Sequence, residues 1–184
     1  MKNTPKFNEK GMLNLDGVKL RDNPIYGAFF RAMNATTHPL AATQVYAALE
    51  KGVVDAAAWA TIGLKGLKWD KFLRHAVEPE FYHTDIGWFI NLKKWNSLDA
   101  GLRKLVQDMV IENEKAVRKV LLEKSKKERA ALAKEGMKFH TVPAAAVYSK
   151  LAVDSAYARM TDRLTKAKRP TGHVAKLREL WQQQ

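Results

Sequence analysis

The chain has 184 residues, of which 46% are hydrophobic and 28% are charged. These fractions are close to those of soluble globular proteins, so they exclude a disordered chain or a fibrous repeat. The sequence contains no cysteine, which excludes disulfides, thiolate metal sites and a cysteine nucleophile. The net charge of +13, most of it after residue 90, leaves nucleic acid open as a partner.

Residues 1–8 form a polar leader without the apolar segment of a secretory signal peptide. No apolar run approaches the roughly 20 residues that cross a bilayer. The sequence therefore predicts neither a signal peptide nor a membrane span in this chain.

The pattern of residues 9–90 predicts an α/β lobe whose sheet is largely parallel. The expected elements are a strand at 18–21, a helix with Asn23 as cap and Pro24 as first residue, a helix at 43–52 closed by Gly52, a strand at 53–55, and a loop with a short helix at 63–79. Ligands of such sheets bind beyond the carboxyl ends of the strands, which is where Arg21 and the turn from Asp55 to Trp59 fall.

Residues 91–184 are predicted to be mainly helical and to form returning strands and long helices of a second lobe. The expected elements are a strand at 83–92, a helix over 98–135 capped by Asn96 or Ser97, a strand at 137–142, a helix from Pro143 to about residue 168, and a final helix from Pro170. The first of these helices is about 57 Å long at 1.5 Å per residue, so it either bridges two lobes or breaks near residues 123–129.

Arg21 is the leading candidate for a binding residue. A guanidinium at the end of a strand can hold a carboxylate through two charge-assisted hydrogen bonds, although an ordinary surface arginine is the more common case. Trp59 has two interpretations, an aromatic wall of a pocket or plain core packing. Asp55 is expected to cap a following helix, which is a structural role.

Enzymatic and metal-dependent functions find little support in the sequence. The five histidines are dispersed, and no pair has the spacing that places two imidazoles on one helical face. Nucleophile elbows, phosphate-binding glycine loops and paired carboxylates are also missing, so no cofactor is predicted. The basic residues of 103–134 alternate with glutamates, which favours a solvated helix face over a nucleic-acid stripe.

Two segments carry a family resemblance. The sequences LDGVKLRDNPIYGAFFRAMNATTHPL at 15–40 and QVYAALEKGVVDAAAW at 44–59, followed by INLKKWNSL at 90–98, resemble the solute-binding proteins of tripartite ATP-independent periplasmic (TRAP) transporters. The blocks occur in the family's order and approximate spacing, and together they cover most of residues 9–150.

The resemblance implies a periplasmic receptor that is not an enzyme. In the family, two α/β lobes close over a small organic acid anion and deliver it to membrane permease subunits. The motif G-x-K-x-R places the carboxylate-binding arginine at Arg21, and Trp59 stands where many members have an asparagine. This implies a monocarboxylate with an apolar body. Beyond the resemblance, Tyr26 and Phe81 are predicted to form walls of the site together with Trp59.

Two features depart from the family pattern. Ala58 stands where the oxo-acid receptors carry a glutamate that binds a cation, so no bound metal is predicted. The signal peptide and about half of the first lobe are also expected ahead of the strand that carries Arg21, which suggests a truncated receptor. The alternatives are a basic nucleic-acid-binding protein and an inactive fragment whose apolar face would produce a dimer.

Overall fold

The structure is a computed structural model that describes residues 1–82 and 87–181. Its strands are β1 Lys6–Phe7, β2 Leu13–Asn14, β3 Lys19–Asp22, β4 Thr36–Pro39, β5 Ala56–Ala57, β6 His75–Glu78 and β7 Lys138–Thr141. Its α-helices are α1 Gly27–Arg31, α2 Ala42–Glu50, α3 Leu92–Asn96, α4 Ala100–Lys134, α5 Ala145–Lys166 and α6 Gly172–Trp181, and a 3₁₀ turn spans Trp69–Lys71.

The central sheet has three parallel strands in the order β4-β3-β5. Helix α1 connects β3 to β4, and α2 connects β4 to β5, so each parallel pairing is made through a helical crossover. The predicted α/β lobe with a largely parallel sheet is confirmed. The carboxyl ends of all three strands consequently lie at one edge, which is where the candidate site forms.

Two further pairs of strands complete the fold. β6 and β7 are parallel although about 60 residues of sequence separate them, with His75 opposite Lys138. β1 and β2 form a short antiparallel pair within the N-terminal segment. The β6–β7 pair fixes the end of α4 to the body of the protein, because β7 begins four residues after α4 ends.

The apolar interior consists of two clusters. The first joins α1, β3 and α5, with Phe29 and Tyr148 almost fully buried. The second joins α2 to the C-terminal end of α4 and is built around Trp69, whose ring is fully buried. Burial of an aromatic ring of this size is among the largest single contributions to a core, so Trp69 is the main anchor of the second cluster.

The first helix begins later than predicted. Pro24 lies in a turn, and α1 starts at Gly27. The side-chain oxygen of Asn23 accepts a hydrogen bond from the Ile25 amide at 2.8 Å. The backbone carbonyl of Asn23 accepts from the amides of Tyr26 and Gly27. Asn23 therefore closes an Asx turn ahead of the helix instead of capping the helix itself.

The strands around α2 also differ from the prediction. Strand β4 was not predicted, because its sequence Thr-Thr-His-Pro has no apolar alternation and it pairs with β3 on one side only. The strand expected at 53–55 lies at Ala56–Ala57 instead. The predicted helix cap at Asp55 is wrong: its carboxylate accepts a hydrogen bond from the Lys19 amide at 3.3 Å and so joins two neighbouring strand starts.

The predictions for the helical half are largely confirmed. α4 is unbroken through residues 123–129, and its cap is Asp99, which accepts from the Leu102 amide at 2.9 Å, in place of Asn96 or Ser97. Strand β7 and helices α5 and α6 lie where expected. In the strand predicted at 83–92, residues 83–86 lie outside the described residues, and 87–91 make no strand pairing. Strand β6, inside the predicted loop at 63–79, was missed.

Candidate functional site

Arg21 lies on the middle strand of the central sheet, one residue before the strand ends. Its side chain is buried, with 5% of the residue exposed. A buried guanidinium requires hydrogen-bond acceptors, because leaving a charged group unpaired in the interior costs several kcal/mol. The arrangement of acceptors around Arg21 therefore defines the site.

Four hydrogen bonds hold the guanidinium. Nε and Nη2 both donate to the Leu40 carbonyl, at 2.9 and 2.8 Å, and Nη1 donates to the Ala58 carbonyl at 3.1 Å and to the Tyr26 hydroxyl at 3.2 Å. Leu40 directly follows β4 and Ala58 directly follows β5. The side chain thus joins the carboxyl ends of all three strands. Since a guanidinium carries five N–H donors, at least one N–H remains for another acceptor.

Two tryptophans lie beside the guanidinium. The Cζ atom of Arg21 is 5.5 Å from the ring centroid of Trp59 and 6.0 Å from that of Trp69. The two indoles contact each other edge to face, with centroids 5.0 Å apart. Trp69 is fully buried, whereas Trp59 is 40% exposed. Trp59 is therefore the aromatic surface that solvent and a solute can reach beside Arg21.

Tyr26 contacts Arg21 directly, and Phe81 packs on Tyr26. The Tyr26 hydroxyl accepts from Arg21 and donates to the Ala58 carbonyl at 3.1 Å, which adds a second link between α1 and the end of β5. Burial raises the pKa of this hydroxyl above its ordinary value, so it remains protonated and able to donate at neutral pH. The Phe81 ring packs edge to face on Tyr26 at 5.6 Å and also contacts Phe29 and Phe30.

A buried acid, Asp22, follows Arg21 in the sequence and pairs with Arg31. Asp22 is 2% exposed, and one of its carboxylate oxygens lies 3.7 Å from the Arg31 guanidinium. Burial raises the pKa of Asp22 above its ordinary value, and the nearby arginines only partly oppose that rise. Gly27 lies directly against this carboxylate, where a Cβ atom would be 2.1 Å from Oδ2. Only glycine fits at that position without moving Asp22.

The segment that follows Trp59 is attached to α4. The carboxylate of Glu128 accepts hydrogen bonds from the amides of Gly63 at 2.8 Å and Lys65 at 3.0 Å. Lys65 also pairs with Glu135. Between this segment and α4 lies an open groove of about 660 Å³, lined by Lys65, Lys119, Val120, Glu123, Lys124, Lys127 and Glu128.

Two histidines that are distant in sequence meet on the second sheet. His75 Nδ1 and His140 Nε2 are 2.9 Å apart, and both residues are partly buried. Sequence spacing alone could not find this pair, because the β6–β7 pairing brings it together. Burial, followed by the neighbouring imidazole, lowers the pKa of His75. Within the described residues, no group of three or more potential metal ligands of the His, Cys, Asp or Glu type is present.

The family assignment rests on the sequence of residues 11–163. This range matches the family described as "Bacterial extracellular solute-binding protein, family 7" and includes Arg21, Trp59, all of α4 and most of α5. The chain belongs to this family. The resemblance to TRAP solute-binding proteins is thereby confirmed. Within residues 1–82 and 87–181, no helix has both the length and the apolar character needed to cross a bilayer.

Solved structures of TRAP solute-binding proteins share the fold. A protein from Desulfovibrio salexigens with bound orotic acid is 22% identical, with a TM-score of 0.72 over 90% of this chain and 53% of its own. A marine metagenome protein specific for aromatic acid ligands is 16% identical, with a TM-score of 0.69 over 88% of this chain and 53% of its own. A Bordetella bronchiseptica protein with calcium and picolinate, described as a mixed occupancy dimer, is 21% identical, with a TM-score of 0.61 over 85% and 46%.

This family member spans about half the length of the solved structures that it matches. At these identities the likeness establishes the fold, which agrees with the predicted periplasmic-binding-protein-like lobe with a parallel-rich sheet. Arg21, Trp59, Tyr26 and Phe81 were predicted from the sequence as binding residues, and this role stays a prediction, although the structure links all four through a chain of contacts. The sequence did not point to the carbonyls of Leu40 and Ala58 or to Glu128, because backbone acceptors and contacts between distant segments leave no motif in a single sequence.

Proposed function

We propose that this chain is the arginine-bearing part of a TRAP receptor that captures a small organic acid with one carboxylate for a membrane permease, in the periplasm. The observation that carries the proposal is the buried, fully oriented guanidinium of Arg21 beside the exposed indole of Trp59. Family membership supports the receptor role, and the bound acids of the similar structures support the ligand class.

The hydrogen bonds of Arg21 support a binding role in a particular way. Carbonyls hold the guanidinium in position before a ligand arrives, so little side-chain entropy is lost on binding. The remaining N–H can donate to one carboxylate oxygen, and a charge-assisted hydrogen bond of this kind contributes about 1.5 to 3 kcal/mol. To accept two hydrogen bonds from Arg21, the ligand carboxylate must displace the Leu40 carbonyl. The residue after β4 and the ligand therefore compete for the same guanidinium N–H groups.

Trp59, Tyr26 and Phe81 are proposed as walls of the same site. Trp59 offers an apolar face to the body of the acid, and an aromatic or unsaturated acid would stack on it. Tyr26 keeps Arg21 in place through its hydroxyl, and Phe81 supports the Tyr26 ring. The proposed ligand is therefore an acid with a flat or apolar body, and its binding requires no metal.

Calorimetry with a panel of monocarboxylates tests this function. Trp59→Ala, which changes a partly exposed side chain, should weaken the tightest-binding acid by about tenfold or more, and Arg21→Gln should abolish detectable binding. Arg118→Gln on the exposed surface of α4 is the matched charge control and should bind as the unchanged protein does. Equal affinity in all four proteins would refute the assigned role of Arg21 and Trp59.

Tyr26→Phe separates positioning from ligand contact. It keeps the ring and its packing but removes the hydroxyl that links Arg21 to Ala58. We expect a several-fold loss of affinity with an almost unchanged melting temperature. A loss as large as that of Arg21→Gln would assign the hydroxyl to direct contact with the acid.

A further inference from the structure

The indole of Trp59 is held by the turn that follows it in the sequence. Residues 63–69 form this turn, which three backbone hydrogen bonds of 3.0 to 3.2 Å close. At its far end the Trp69 ring packs edge to face on Trp59, with centroids 5.0 Å apart. At its near end a Cβ atom on Gly63 would lie 3.4 Å from the indole Nε1. The placement of the indole beside Arg21 therefore depends on both ends of the turn.

The two ends of the turn are anchored in different ways. Trp69 is fully buried in the second apolar cluster, together with Leu132 of α4. Gly63 has no side chain to bury, and its φ of 94° lies in the left-handed region, which glycine adopts without strain. The near end of the turn therefore requires hydrogen bonds to hold it against the indole.

Glu128 of α4 supplies these hydrogen bonds. Its Oε2 accepts from the Gly63 amide at 2.8 Å, and its Oε1 accepts from the Lys65 amide at 3.0 Å. Amides at the start of a turn have no carbonyl behind them within the turn, as at the start of a helix, so an outside acceptor satisfies them. Hydrogen bonds to a carboxylate are about twice as strong as those between neutral groups. One side chain of α4 thus fixes both amides at the near end of the turn.

We propose that Glu128 is a positioning residue of the ligand site. Its carboxylate holds the near end of the turn, and the turn holds the edge of the Trp59 indole beside Arg21. The part of this inference that concerns affinity rests on the function proposed above. An aromatic ring that is already fixed loses less entropy when a ligand stacks on it. Glu128 therefore raises the affinity for acids with a flat or apolar body without contacting the acid.

The alternative is that Trp69 alone fixes the indole and that Glu128 only fastens the turn to α4. The two alternatives differ in one observable, because only the first couples the indole to the carboxylate. Glu135, directly after α4, is the matched control. It pairs with the side chain of Lys65 and so binds the same segment without holding the amides.

The indole N–H signals of the ¹⁵N-labelled full chain test this coupling without a ligand. The chain has five tryptophans, and Trp59→Phe identifies the signal of Trp59 by its loss. Glu128→Ala should shift this signal and lower its heteronuclear NOE, because the indole gains fast motion. Glu128→Gln keeps one acceptor oxygen and should produce a smaller change of the same kind. Glu135→Ala should leave the signal unchanged.

Calorimetry with metahydroxyphenylacetate, the acid bound by the marine metagenome protein, tests the consequence for affinity. Glu128→Ala should weaken binding about three- to tenfold, and Glu135→Ala should weaken it by less than about twofold. In a Trp59→Ala background, Glu128→Ala should cause no further loss, because the carboxylate acts through the indole. Circular dichroism and the melting temperature of each variant show whether the fold is retained, and Glu128→Gln replaces Glu128→Ala if the latter does not fold.

Three results would overturn the proposal. The first is an unchanged Trp59 signal in Glu128→Ala. The second is an equal shift of that signal in Glu135→Ala, which indicates a general loosening of the segment. The third is an equal loss of affinity from Glu128→Ala with and without Trp59, which means that the carboxylate does not act through the indole. If the unchanged protein binds no acid, the function proposed above fails, and the indole signal still decides whether Glu128 positions Trp59.

Discussion

The two ends of α4 illustrate how one helix can belong to two different environments. Its last ten residues are part of the body, where Leu132 is 6% exposed in the cluster around Trp69 and Glu128 accepts two backbone amides. Residues 100–124 stand in solvent, with Leu122 at 53% exposure. The difference shows that helix formation in the outer part depends on local propensity and ion pairs such as that of Lys104 with Asp108, whereas the inner part depends on packing.

The same substitution at both ends gives the largest expected contrast. Leu132→Ala should lower the free energy of unfolding by about 2–4 kcal/mol, because it removes buried methyl groups and leaves a cavity. Leu122→Ala should change it by less than about 1 kcal/mol, because alanine is the better helix former and no cavity results. Urea unfolding followed by circular dichroism measures both. Similar losses at the two positions would contradict the division of α4.

Two arginines extend the comparison from apolar to charged side chains. Arg21→Met should cost about 2–4 kcal/mol, since it removes four hydrogen bonds and leaves the end of β4 without the two donors that the Leu40 carbonyl accepts. Arg118→Met on the outer part of α4 should change stability by less than about 0.5 kcal/mol. Thermal unfolding of both variants at neutral pH is the measurement. A loss for Arg118→Met equal to that for Arg21→Met would show that charge alone, and not burial, determines the cost.

The smallest effect concerns pH and the β6–β7 pair that holds the inner end of α4. Burial and the adjacent His140 lower the pKa of His75 below its ordinary value of 6.5, so the unfolded chain binds a proton more readily than the folded chain. Above pH 6.5 His75 is neutral in both the folded and the unfolded chain, and its contribution to the free energy of unfolding is at its full value. This free energy decreases as pH falls from 6.5 through the lowered pKa of the folded chain.

His75→Gln should therefore reduce the slope of stability against pH in this acidic range, as measured by melting temperature between pH 7.5 and 5. His173→Gln provides a matched control, because that histidine is exposed on α6. If both substitutions change the slope equally, the contact between His75 and His140 has no effect on proton binding.

Much of the body was predictable because its signals are local. The G-x-K-x-R strand, the helix that Gly52 closes and the length of α4 follow from residue spacing and from φ values that glycine adopts easily, with Gly52 at φ 70°. Strand β4 could not be predicted, because its polar sequence becomes a strand only through pairing with β3. The hydrogen-bond partners of Arg21 could not be predicted either. Two of its acceptors are backbone carbonyls, which every residue possesses, and only the fold brings them to the guanidinium.

The carboxylate of Glu128 gives the anchored end of α4 a mechanical role. It holds the amides of Gly63 and Lys65, and these residues follow directly after the turn that carries Trp59. A displacement of α4 along its axis must either break these two bonds or move that turn with it. The position of the segment that follows Trp59 is therefore coupled to the axial position of α4.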